Sequence, residues 1–183
     1  METFAEPREF VENAGYIRDR EHVMSGFATQ SIDAPILDVV LGFAKLPQCF
    51  TLQSCYGHFA YAGQPDPHNL TPLPAQDIGS VRYRIAYVAL CIEHSAMGAL
   101  LREALEEMRV IDTEYVQFGS PSWFWERYPN SYALQVEPER FMAKDEAVIA
   151  YREALHVQRV RDEFFKRLRE LVVPLGRRSG RAN

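Results

Sequence analysis

The sequence predicts an α/β (α+β) domain in which helices flank a mixed central sheet, and three observations carry that prediction. Stretches with apolar residues on a 3.6-residue period alternate with short β-prone runs. One run, residues 82–93, is apolar on both faces, the mark of a strand covered on each side. The 183 residues, 47% apolar and 25% charged, suit a single packed domain, with its core over roughly residues 33–172.

Taken in order, Phe10, Val11, Tyr16 and Ile17 suggest a short helix near residues 7–20. Asp33 stands where an N-cap belongs and Pro35 falls in the first turn of the helix that follows. Ile36, Leu37, Val39, Val40, Phe43 and Leu46 then share one side of a helix over 34–46, which Pro47 stops. The runs 49–52 and 59–61 are short strands around the turn Ser54-Cys55-Tyr56-Gly57-His58. The segment 63–79 carries four prolines, a composition that fits either a lid or a disordered loop. After the buried strand at 82–93, Ser95 caps a helix whose inward stripe is Met97, Leu100, Leu101, Leu105 and Met108. Strands follow at 113–118 and 131–137, joined by the aromatic stretch from Ser122 to Trp125. A long helix over 145–172, with Val148 and Ile149 inward, precedes a polar tail at 176–183 that is expected to fray.

Charge and cysteine usage narrow the classes. No run of about 18 apolar residues exists to span a membrane, and the acidic N-terminus is unlike a secretory signal. Cys49, Cys55 and Cys91 are sparse, odd in number and without a CxxC pair, so reduced thiols in a cytoplasmic protein are expected. Residues 140–183 hold 11 basic and 6 acidic side chains, whereas the first 139 residues hold 9 basic and 19 acidic. Such an acidic body argues against broad nucleic-acid binding. The basic end is either a solvated helix face or a local phosphate contact.

The turn at 54–58 concentrates the residues with chemistry. Gly57 suits a bend, and a thiol and an imidazole three residues apart, Cys55 and His58, could form a nucleophile–base pair at a cavity rim. They would also supply two metal ligands, with His68 or His94 as the additions, short of a set that assigns a metal. A buried structural cysteine beside a surface histidine is the alternative. His94 ends a strand and precedes a helix, where ligands gather in α/β sheets. Trp123, Phe124 and Trp125 offer either a stacking wall for a nucleobase or a core cluster. No glycine-rich phosphate loop or GxSxG elbow is present.

The stretch Phe50-Thr51-Leu52-Gln53-Ser54-Cys55-Tyr56-Gly57-His58 resembles the TYW3 family of wybutosine-synthesis proteins. That family's motif runs aromatic, Thr, Thr, Ser, Ser, Cys, Ser, Gly, Arg. Ser54, Cys55 and Gly57 match its centre, and the order of elements over 33–172 is similar. The family's arginine is His58 here, its second serine is Gln53 and its serine before glycine is Tyr56. The resemblance implies a TYW3-like fold and S-adenosylmethionine-dependent methylation of a tRNA base.

The expectation is therefore an enzyme binding S-adenosylmethionine or a related nucleotide, with Cys55 and His58 reacting and Ser54, Gly57, His94 and Trp123 holding the ligand. The alternative is a non-catalytic binding or homo-oligomerising module using residues 122–132 as its sticky surface. A metal-dependent hydrolase built on Cys55 and His58 is a third reading.

Overall fold

A computed structural model describes residues 6–141 and 145–179. The described residues form five α-helices and seven strands in the order α1 (Tyr16–Ser25), α2 (Leu37–Ala44), β1 (Cys49–Cys55), β2 (His58–Ala60), β3 (Ser80–Arg84), β4 (Ala86–Ile92) and α3 (Ala96–Glu106). There follow β5 (Val116–Gly119), α4 (Ser122–Arg127), β6 (Ser131–Val136), β7 (Glu146–Ala150) and α5 (Tyr151–Ser179). The α+β class stands. The strands form two antiparallel sheets instead of one mixed central sheet: four strands in the order β1-β4-β6-β5, and three in the order β2-β3-β7.

The buried strand expected at 82–93 is two strands. β3 pairs with β2 and β7, whereas β4 pairs with β1 and β6, and Ile85 is the crossing point. There the Ile85 N–H donates to the Asp145 carbonyl at 3.1 Å, and the Ala86 N–H donates to the Tyr83 hydroxyl at 2.9 Å. Val81, Tyr83 and Ile85 alternate in step with the apolar residues of β4, which hides the break, although Arg82 and Arg84 leave one face of β3 exposed. The start of the last helix is corrected for a related reason. Residues 146–150 pair with β3, and alternation buries Ala147 and Ile149 while Val148 is 68% exposed. β-branched residues at 148 and 149 favour that extended form. The backbone of α5 then runs to Ser179, and residues 180–183 of the expected tail lie outside the described residues.

The first helix begins nine residues later than expected because the chain ahead of it is spent on the sheet. Arg8 N–H donates to Ser120 Oγ at 2.9 Å, and Val11 N–H donates to Asn130 Oδ1 at 2.9 Å. Asn130 Nδ2 donates back to the Val11 carbonyl at 2.6 Å, so these backbone groups are committed outside any helix. Ser95 caps α3 as expected, accepting from Gly98 N–H at 3.1 Å. Its inward stripe is narrower than the spacing implies: Leu101 and Leu105 are buried, while Met97 and Leu100 face solvent. The main core lies between α2, α5 and the two sheets, and includes Val39, Phe43, Tyr83, Leu90, Val157, Phe164 and Leu168. Cys49 and Cys91 are free and buried, as expected of core thiols.

One core group carries a proton-linked cost. Glu137 is fully buried, and among the described residues only its Oε2 has a side-chain partner, the Gln135 amide at 2.7 Å. Burial, with Asp145 nearby, pushes its pKa up to about 8. Between the unfolded value near 4.5 and that point, the native state holds a proton that the unfolded chain has lost. Its contribution to stability therefore falls as pH rises through that window. Glu137→Gln is expected to raise the melting temperature at pH 8–9 and to change it little near pH 4.5; an unaltered pH slope in thermal melts would reject this assignment.

Candidate active site

The turn between β1 and β2 is where the chain leaves one sheet for the other. Gly57 takes φ +87°, and a Cβ there would lie 2.8 Å from the Ala86 Cβ, at the second crossing point. The glycine is thus required twice, for its conformation and for the close approach. The buried Arg161 of α5 seals the bend: its Nη1 donates to the Gly57 carbonyl at 3.1 Å, and its guanidinium lies 4.0 Å from the Tyr56 ring centroid.

Asp33 completes the cluster. It was expected as an N-cap, but its side chain caps nothing. Its Oδ2 instead accepts the Tyr56 N–H at 2.8 Å and faces His58 Nε2 at 3.3 Å. The other ring nitrogen, Nδ1, faces the Asn69 carbonyl at 3.3 Å. Cys55 Sγ accepts the Gly57 N–H at 3.4 Å. One ligand atom from each of Asp33, Cys55 and His58 lies within 4.8 Å of the other two. Hydrogen bonding to Asp33 and then to Cys55 outweighs burial and pushes the His58 pKa up to about 10. Burial alone would raise the Asp33 carboxyl, but the bonds from His58 and the Tyr56 N–H hold it below the usual carboxylate value.

Thiol and imidazole do meet, but not at a rim. Cys55 is 6% exposed and His58 is 3% exposed, and the segment 63–79 meets His58 through the Asn69 carbonyl and the His68 ring. Asn69 anchors that segment through its Nδ2 to the Phe59 carbonyl at 3.1 Å, and the Leu73 N–H donates to Gln158 Oε1 at 2.7 Å. With an acceptor on each ring nitrogen, the metal-free imidazole holds two protons, so it is not the free base that a nucleophile–base pair needs.

Ser54, Cys55, Gly57 and His58 are therefore brought together, whereas His94 and Trp123 are elsewhere. His94 follows Ile92, which pairs with Cys49, at the end of β1 opposite Cys55; that strand is about 20 Å long. There His94 Nδ1 meets Glu12 Oε1 at 3.0 Å. Trp123 is 50% exposed on α4 with the Arg127 guanidinium 3.7 Å from its ring centroid. Phe124 packs on Ala89 and Ala133, and the partly buried Trp125 packs on Tyr132, so these two rings belong to the core and Trp123 is the exposed one. Several basic side chains near the C-terminus meet acids: Lys166 and Arg167 pair with Glu163, and Arg169 pairs with Asp38.

Beside the cluster, a cavity of about 370 Å³ opens along the outer edge of β1. Residues 26–28 and 31–32 form one wall, and residues 51–54 with Tyr87 form the other. Thr51 is one of its lining residues, and the Thr51 hydroxyl, itself buried, has no hydrogen-bond partner among the described residues. Two of its lining residues, Ile32 and Ser54, are the chain neighbours of Asp33 and Cys55.

The double demand on Gly57 has a measurable consequence. Gly57→Ala is expected to destabilise the fold by about 2–4 kcal/mol, from left-handed strain plus overpacking. Gly79→Ala, at φ +78° with open space around it, should cost only the strain, about 1–2 kcal/mol. Equal losses in denaturant unfolding would remove the close approach from the account.

Comparison with known proteins assigns no family: no family model and no curated protein matches the chain. Two solved structures of the PH1069 protein from Pyrococcus horikoshii are similar in outline, at 12% and 11% identity. Their TM-scores are 0.45 and 0.48, over 92% of this chain and 96% and 99% of theirs.

Proposed function

We propose that the protein is an enzyme that binds an adenosine-type ligand, S-adenosylmethionine or a related nucleotide, in the cavity along β1, in the manner of an RNA-modifying methyltransferase. The observation that carries this reading is a cavity whose wall is the motif strand, residues 51–54. The cavity volume falls within the range of small-molecule sites.

β1 is an edge strand, and among the described residues no strand pairs with its outer side. The rim of residues 51–54 thus offers backbone donors and acceptors together with Thr51, Gln53 and Ser54 side chains, a mixture suited to the edge of a heterocycle. Gln53 Oε1 accepts from the Tyr87 hydroxyl at 3.1 Å, which holds both side chains at the mouth. Val40, Val23 and Phe27 supply the apolar surface. S-adenosylmethionine, when bound, supplies an activated methyl group. The chain's own part is to bind and orient it, with Asp33, Cys55 and His58 positioning the two walls from behind. The motif resemblance at Ser54, Cys55 and Gly57 supports this choice of ligand.

At a hundredfold excess over Kd, a ligand specific for the native state stabilises by about 2.7 kcal/mol, which raises the melting temperature by about 5–10 °C for a chain of this size. S-adenosylmethionine is expected to give that shift. No shift with S-adenosylmethionine, S-adenosylhomocysteine or ATP would overturn the proposal.

A further inference from the structure

The cluster behind the cavity wall has a second property, independent of what the cavity binds. We infer that Asp33 Oδ2, Cys55 Sγ and His58 Nε2 form a zinc site with one coordination position left for a non-protein ligand.

A carboxylate, a thiol and an imidazole are the three donor classes that zinc accepts, and one atom of each lies within 4.8 Å of the others. Two ligands each about 2.0–2.1 Å from a tetrahedral zinc ion stand about 3.3 Å apart. Asp33 Oδ2 and His58 Nε2 are 3.3 Å apart, the length of one edge of such a tetrahedron.

The surroundings of the three atoms point the same way. A zinc-bound histidine presents one ring nitrogen to the metal and donates the other N–H to a carbonyl or carboxylate. His58 Nδ1 faces the Asn69 carbonyl at 3.3 Å, which leaves Nε2 for the ion. Cys55 Sγ receives the Gly57 N–H at 3.4 Å, and Asp33 Oδ2 receives the Tyr56 N–H at 2.8 Å, so both anionic ligands are held by backbone donors. The turn Cys55-Tyr56-Gly57-His58 thereby presents two ligands from one tight bend, with Gly57 at φ +87° allowing the N–H to reach the sulfur.

Charge also balances. A thiolate and a carboxylate neutralise Zn²⁺, and the neutral imidazole adds none, so the loaded site buries no net charge. On loading, the thiol gives up its proton and His58 gives up the one on Nε2 while keeping the one on Nδ1. Three metal–ligand bonds form, and they replace the contact between His58 Nε2 and Asp33 Oδ2. His68, whose ring centroid lies 5.8 Å from that of His58, is outside the ligand cluster, and His94 is at the far end of β1. Three protein ligands leave the fourth position of the tetrahedron open.

The test uses the intact chain and the metals alone. After removal of bound metal, titration with Co²⁺ is expected to give one equivalent of tetrahedral cobalt with a thiolate-to-metal charge-transfer band. Zn²⁺ should displace it. X-ray absorption on the zinc form should find one sulfur at about 2.3 Å and two or three N/O ligands at about 2.0–2.1 Å. Asp33→Asn should weaken zinc at least tenfold, and Cys55→Ser should abolish the charge-transfer band. Since a variant at this turn could fail to fold, wild-type protein also carries the test: zinc should shield Cys55 from maleimide, read by peptide mass mapping under mild denaturation, while Cys49 and Cys91 are unaffected. Absence of a stoichiometric cobalt spectrum, or a zinc shell without sulfur, would overturn the site whether or not S-adenosylmethionine binds.

Discussion

The Asp33 carboxylate is the point on which the candidate site depends. It lies on the approach to α2, yet its oxygen is shared by the Tyr56 N–H and the His58 ring, across the turn that joins the two sheets. That one group therefore ties three segments that are distant in sequence: the lead-in to α2, the end of β1 and the start of β2. Low local dielectric makes such a tie strong when satisfied and costly when broken. The cavity inherits its shape from it, because Ile32 and Ser54 stand on opposite walls while their neighbours Asp33 and Cys55 meet behind them.

The turn is held from a second side by Arg161. A guanidinium buried in the apolar stripe of α5 needs partners, and it finds the Gly57 carbonyl, the Tyr56 ring and Asp162. Crossing points at 55–58 and at 84–86 stack on one another, with the Tyr83 hydroxyl donating to the Val136 carbonyl beneath them. The corner between the sheets is consequently the best hydrogen-bonded part of a site that would otherwise be a loop. A cavity placed against it has a fixed wall.

The chemistry of this corner was only half legible in the sequence. Ser54, Cys55, Gly57 and His58 announce themselves, because a thiol, an imidazole and a glycine in one short turn are an unusual local combination. Asp33 does not, since an aspartate before a proline-bearing helix start reads as a cap, and only the fold shows its side chain turned away. Arg161 could have been found: it sits between Val157 and Phe164, Phe165 on the face that spacing marks as buried, where a lone charge signals a role. His94 and Trp123 were drawn in by local rules about strand ends and aromatic runs, which say nothing of which end of which strand they share. The same blindness joined β3 to β4 and merged β7 into α5, because burial periodicity records a face and not a partner.

Asp33 and His58 are energetically coupled, not merely adjacent. A double-mutant cycle with Asp33→Asn and His58→Asn, unfolded by denaturant near pH 7 with chelator present so that metal contributes nothing, measures that coupling. The expected interaction energy is about 1.5–3 kcal/mol, the range for a hydrogen bond between charged groups. Additive losses, with coupling below about 0.5 kcal/mol, would contradict it.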